Sequence, residues 1–232
     1  MAAHEKVVPL LELYAACEVA RKQLVAPHDV SRVIARPFVG TSGKYTRTQN
    51  RRDYSLAPPG ETLIDALAAA GVPRAAVGKV DDLFAGRHLR ARHTANNAEG
   101  IRYILEWLEG VQGGLLFANL VDFDTQYGHR NDAAGFERAL RELDDALPAI
   151  RNALREDDLL FITADHGNDP TTGSTDHARE QVPLLAFGSA VHPVALGVRS
   201  TFSDLGATVA EWLNVGFRGA GTSFLPTLER GH

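Results

Sequence analysis

LLFITADHGNDPTTGSTDHARE, residues 159–180, runs from an apolar stretch into a loop that holds Asp165, His166, Asp169, Asp176 and His177. The stretch LLFIT has the near-continuous apolar character of a strand buried on both faces. In open α/β sheets, ligands gather in the crevice beyond the carboxyl ends of the strands. An acid–imidazole loop at that place therefore reads as a candidate site. A second run of the same kind, LLFANLVDFDTQYGHR at 115–130, delivers Asp122, Asp124 and His129 after its apolar part. If the two strand ends lie side by side, these groups can converge. Gly128 and Gly167 sit next to candidate ligands, where a turn or a close backbone approach would need them. Asp169, ahead of Pro170, reads as a turn cap instead.

The donor chemistry narrows the ligand. Histidine and aspartate without cysteine suit a divalent first-row ion such as Mn²⁺ or Zn²⁺. Five such groups exceed one tetrahedral site, and a pair of ions clamping a phosphoryl group fits them better. His28, His88, His192 and His232 have no acidic neighbour at useful spacing and read as surface residues.

Outward from these loops the pattern alternates. A helix is expected over residues 5–24, and SRVIARPFVG reads as a strand closed by Pro37 and Gly40. Pro58, Pro59 and Gly60 mark the best domain boundary. Beyond it helices are expected at 61–70, 96–109 and 203–215, and another from Ala133 that ends at Pro148. Strands are expected at AAVGKV, LLFANLVDFD, DLLFITADHG and VPLLAFG. Apolar strands alternating with helices indicate an α/β fold with a parallel or mixed sheet covered on both faces.

Composition sets outer bounds. The chain's 232 residues, 44% hydrophobic and 23% charged, can bury a sizeable core. A net charge of -5 leaves no basic excess to drive counterion release, so no nucleic-acid partner is expected. No run of about eighteen apolar residues occurs, so no membrane partner is expected either. Cys17 stands alone and the N-terminal stretch lacks the clean apolar core of a signal peptide, which points to a cytoplasmic location. The arginine-rich segment from Arg32 to Arg52 could pair two-pronged with phosphate, and Lys79 could add a point charge.

The blocks RVIARPFVG, YTRTQNRRDYSL, VGKVDDLFAG, NLVDFDTQYGHRND, ITADHGNDPTTGSTDHAREQVPLLAFG and GATVAEWLNV closely resemble the phosphopentomutase family of the alkaline phosphatase superfamily. The resemblance runs from about Ala2 to Leu228. It implies an alkaline phosphatase-like core with a mostly parallel sheet covered by helices, from residue 58 to 232. Residues 1–57 would be the C-terminal part of an α/β cap domain. The implied activity is interconversion of (deoxy)ribose 1-phosphate and 5-phosphate with two Mn²⁺ ions, Zn²⁺ or another divalent ion being the alternatives.

Carried over by position, Asp165 and His166 are implied ligands of one ion, and Asp124, His129 and His177 of the other. Arg32, Arg36, Arg47 and Lys79 are implied parts of the region that binds the pentose phosphate. The family's phosphoryl-accepting threonine and one further Asp ligand belong to an N-terminal part of the fold with no counterpart in this sequence. Thr125, Thr163, Thr171, Thr172 and Thr175 lie near the ligands, but none sits in the nucleophile motif. A separate N-terminal segment is therefore a further implied partner, and the chain alone is expected to be inactive. The alternatives are an inactive fragment or split-enzyme half that binds metal or a partner chain, and a metal-dependent phosphohydrolase of the same superfamily.

Overall fold

The computed structural model describes residues 1–230, and His232 lies outside them. The chain divides into two compact units. One comprises Met1–Gly60 with Asp81–Arg87, the other Glu61–Val80 with the chain from His88 onward.

The first unit is organised by one long strand. Its elements are β1 (Ala2–His4), α1 (Leu10–Gln23), β2 (Arg32–Thr41), β3 (Lys44–Arg47) and β4 (Arg52–Ser55). β2 pairs in parallel with β1 and antiparallel with β3 and β4. Side chains alternate across a strand, so Val33 and Ala35 share one face and pack against Leu13 and Cys17 of α1. The opposite face carries Arg32 and Arg36. The helix expected from residue 5 begins only at Leu10, because Pro9 holds an extended ψ of 146° and opens the helix behind it.

In chain order the remaining elements are α2 (Leu63–Ala69), β5 (Arg74–Val77), α3 (Val80–Leu83), β6 (Ala91–Arg92), α4 (Asn97–Gly110) and β7 (Leu115–Ala118). After them come α5 (Ala133–Ala153), β8 (Leu160–Thr163), β9 (Leu184–Phe187), α6 (Ser203–Trp212) and α7 (Leu225–Arg230). β6, β5 and β7 form a parallel sheet with β5 in the centre. The helices start where capping chemistry stands. Thr62 and Asp65 exchange hydrogen bonds in a capping box on α2, and Asn96 accepts from the Glu99 N–H on α4.

Two expectations are corrected, and a third, of a parallel or mixed sheet, is met by pairs of both kinds. β8 and β9 pair antiparallel, and among the described residues no ladder joins them to β7. The loop at 164–183 contains no helix to carry a parallel crossover. The strand expected through Asp124 stops at Ala118, and the chain turns helical at Phe123. Finally, α5 runs through Pro148 to Ala153. Proline in a helix interior costs about 3 kcal/mol. Burial of Ile150, with Leu147 and Ala153 half-buried beside it, contributes a similar amount.

No helix of the described residues is long and apolar enough to cross a membrane. His28, His88 and His192 are exposed as expected, although His88 does have an acidic neighbour, with its Nε2 3.9 Å from Asp65.

Around β8 and β9 the core is closed by Phe224, Leu225 and Leu228, packed against Phe161, Leu184 and Trp212. The segment leading into α7 is pinned by buried Asp204, which accepts from the Thr222 N–H at 2.8 Å and from Arg199 Nε at 2.9 Å. The Thr222 N–H first, and Arg199 after it, hold the Asp204 carboxyl below the usual carboxylate range, against the opposing effect of burial. The resulting stability is fully present above the ordinary aspartate pKa of about 4 and is lost as pH falls through the depressed folded-state value. Asp204→Asn is therefore expected to melt below the parent at pH 7, and the gap should narrow in acid. Parallel melting scans from pH 7 to pH 3 check this, and a gap independent of pH counts against it.

Candidate metal centre

The first half of the centre is built where the chain leaves β7. Asp122 and Asn97 clasp each other: the Asn97 N–H donates to Asp122 Oδ2 at 2.8 Å, and the Asp122 N–H donates to Asn97 Oδ1 at 2.9 Å. That exchange ties the strand exit to the first turn of α4. Phe123–Tyr127 then forms a π-helical turn and Gly128–Arg130 a tight 3₁₀ turn. Single π turns recur at functional sites. Phe123 anchors this one against Phe136 of α5, at 5.5 Å between ring centres. Asp124 and His129 project from these two turns.

The second half is the loop after β8. The Ala178 N–H donates to the Gly167 carbonyl at 2.8 Å and folds the loop back on itself. A Cβ on Gly167 would stand 2.5 Å from the Glu180 Cβ, so the fold-back needs glycine. It brings His166 and His177 together, their rings stacked at 3.6 Å. Asp169 keeps the turn role expected of it, accepting from both the N–H and the hydroxyl of Thr171.

The two halves meet at one carboxylate oxygen. Asp124 Oδ1 lies 3.3 Å from His129 Nε2 and 3.2 Å from His177 Nε2. Asp124, His166 and His177 each offer a ligand atom within 4.8 Å of the others. Among the described residues Asp165 joins only through His166, whose Nε2 is 3.7 Å from its Oδ1, and at 68% exposure it is the most open of the set. His166 is thus shared: it neighbours Asp165 on one side and stacks on His177 on the other.

The imidazoles are oriented for ligation. His129 Nδ1 is 2.5 Å from the Thr175 carbonyl, and His166 Nδ1 is 3.2 Å from the Gly167 carbonyl. A carbonyl only accepts, so each Nδ1 carries the proton and leaves the Nε2 lone pair facing the centre. Such backbone partners fix the tautomer of metal-ligating histidines. Three imidazoles with two carboxylates, and no thiolate, fit a divalent first-row ion.

The expected phosphate-binding residues fall in both units. Residues of one parity on β2 share a face, and Arg47 of β3 stands opposite Phe38 in register. Arg32, Arg36 and Arg47 therefore lie on the sheet face away from α1. Asp53, opposite Ile34, shares that face and takes a two-pronged pair from Arg51 at 2.8 Å with Arg32 at 3.6 Å. Burial pushes the Asp53 carboxyl up, but Arg51, Arg32 and Arg36 outweigh it and hold it below the usual range. Among the described residues no ion pair with Asp or Glu engages Arg36 or Arg47. Lys79 is exposed just after β5 in the second unit.

Sequence reading missed Asn168. Its side-chain amide donates to Asp124 Oδ1 at 3.1 Å across the two loops. The available signal was its place two residues after His166, but the partner lies 44 positions away.

Phosphopentomutase from Caldanaerobacter subterraneus subsp. tengcongensis is 53% identical over 230 residues, covering 98% of this chain and 58% of that protein. Phosphopentomutase from Dictyoglomus thermophilum is 53% identical over 233 residues, covering 100% and 59%. That from Anaeromyxobacter dehalogenans strain 2CP-1 is 54% identical over 231 residues, covering 99% and 59%. The chain thus spans somewhat under three-fifths of the length of these relatives. Residues 63–216, which include the whole acid–imidazole centre, match the Metalloenzyme superfamily, and the chain belongs to that superfamily.

Proposed function

We propose that this chain is the metal-binding part of a phosphopentomutase, acting on (deoxy)ribose 1-phosphate and 5-phosphate. The observation that carries the reading is the convergence of Asp124, His166 and His177 from two strand-end loops, in a chain 51–54% identical to phosphopentomutases. Asp165 and His166 would hold one divalent ion, and Asp124, His129 and His177 the other. Mn²⁺ is the ion proposed, with Zn²⁺ as the alternative. When bound, the ions would supply Lewis-acid stabilisation of phosphoryl charge.

The chain's own residues do the rest of the positioning. The carbonyls of Thr175 and Gly167 keep the His129 and His166 lone pairs aimed inward. Arg36 and Arg47 offer planar donors that match phosphate oxygens in pairs, and Arg32 does so in part because Asp53 shares it. Lys79 adds an exposed positive charge. The accepting threonine is supplied, on this reading, by the region that the relatives have outside the matched length. The test is conversion of ribose 1-phosphate to ribose 5-phosphate with Mn²⁺ by this chain fused to the remaining region of a relative. Turnover supports the proposal; a fusion that folds and binds Mn²⁺ without turnover overturns it.

A second reading is favoured by the open edge of β7. The N–H groups of Leu115 and Asn119 bond to the β5 side. Backbone direction alternates along a strand, so Leu116 and Ala118 present their N–H and C=O groups to the other edge, where no strand pairs among the described residues. Phe117 beside them is 41% exposed. An exposed edge of this kind is a template for an added strand. A separate extended apolar segment carrying the threonine would complete the sheet, making the chain one half of a two-piece enzyme.

A further inference from the structure

The Asp124 oxygen that faces His129 and His177 has a third neighbour, the amide of Asn168. A carboxylate only accepts, so the amide nitrogen, not its oxygen, must point at Asp124. The contact crosses from the loop after β8 to the turn after β7, so one loop grips a candidate ligand of the other.

The grip depends on Gly128. Its backbone, φ -60° and ψ -58°, is one that any residue adopts, so conformation does not call for glycine. Space does. A Cβ at this position would stand 2.1 Å from Asn168 Nδ2 and 2.5 Å from its Cγ. The amide fills the space that a Cβ on Gly128 would take, and a methyl group would push it off Asp124.

We propose that Asn168, seated by Gly128, is a positioning residue that orients the Asp124 carboxylate for metal binding. The inference rests on the metal-binding reading above. The terminal torsion of an aspartate is broad, and a single donated hydrogen bond selects one rotation of the carboxylate. A neutral amide does this without adding a positive charge that would compete with the ion, as lysine or arginine would. Outer partners of metal ligands carry weight of this order: their loss typically lowers affinity about 10–100-fold.

The experiment is Mn²⁺ titration of the full chain by calorimetry, with Co²⁺ visible spectra as a geometric signature and melting of the metal-free protein as a control. Asn168→Ala is expected to weaken Mn²⁺ binding roughly 10–100-fold and to alter the Co²⁺ spectrum, with little change in metal-free melting. Gly128→Ala should weaken binding to a similar extent. The double variant should bind no worse than Asn168→Ala, because its methyl group enters space the amide has left. Parent-like affinity in Asn168→Ala overturns the proposal, and additive losses in the double variant overturn the role of Gly128. A parent chain that binds no Mn²⁺ overturns the metal reading itself, and the proposal with it.

Discussion

Alanine at His177 is expected to cost more Mn²⁺ affinity than the roughly 10–100-fold expected from losing an outer partner, and to remove one ion, not both. His177 faces Asp124 Oδ1 at 3.2 Å, and its neighbour His129 faces the same oxygen at 3.3 Å. Deleting it leaves a carboxylate and a single imidazole, too few donors to hold an ion with a closed set of ligands. Asp165 and His166 keep their own pairing at 3.7 Å, so the second class of site should persist. Asp165→Ala should show the reverse: the Asp124 class retained and the other lost. Calorimetric stoichiometry reads both. Because His166 also stacks on His177, a competing outcome is defined: if Asp124, His166 and His177 form a single centre, the His166 and His177 variants will each abolish the same class and leave no second one. That result would overturn the two-ion division.

The placement of these residues at strand ends was legible because local pattern and chemistry coincide. LLFIT and the start of LLFANLVDFD are apolar enough to be strands, and the acids and histidines follow them directly. β2 was legible as a strand in RVIARPFVG, whereas its division into a buried face and an arginine face emerges only in the structure. What local pattern could not reveal was set by partners distant in sequence. The exit of β7 is decided by Asn97, 25 positions before Asp122. The stacking of His166 on His177 follows from one fold-back hydrogen bond between Ala178 and Gly167. Pro148 misled because proline reports a local cost, whereas Ile150 reports burial against the rest of the unit. The antiparallel β8–β9 pair was hidden because apolar strands of either direction read alike, and only the helix-free loop between them distinguishes the case.

Gly128 shows how a residue can be noticed for one reason and needed for another. Beside a candidate ligand, a glycine suggests a turn. Here the turn conformation is ordinary, and what demands glycine is the amide of Asn168 lying on it. That separation is what makes the two residues testable as a pair, since a propensity effect would not vanish when Asn168 is removed.

Ala118→Pro is expected to abolish complementation if the chain works with a separate strand-supplying segment. The chain alone should convert no ribose 1-phosphate above background with Mn²⁺, and addition of the remaining region of a relative as a separate polypeptide should restore turnover. The backbone around Ala118 makes the substitution selective. The neighbouring Asn119 N–H bonds to Val77 on the β5 side, so the Ala118 N–H faces the open edge. Proline there removes no hydrogen bond from the β5–β7 ladder, and it restricts Phe117 to the extended conformation that a strand already requires. For an incoming strand the same proline removes a donor and sets a ring against it. The lost hydrogen bond alone is worth about 1 kcal/mol, roughly fivefold in association, and the clash of the ring with the incoming strand adds to it. Mn²⁺ affinity of the chain should be unchanged, because Asp124 lies beyond the strand and is held by its own turn. Restored turnover in the proline variant would show that the segment does not add along β7. Turnover by the unsupplemented chain would show that the accepting group is already present among its own residues, and the threonines of the loop after β8 would then be the place to look.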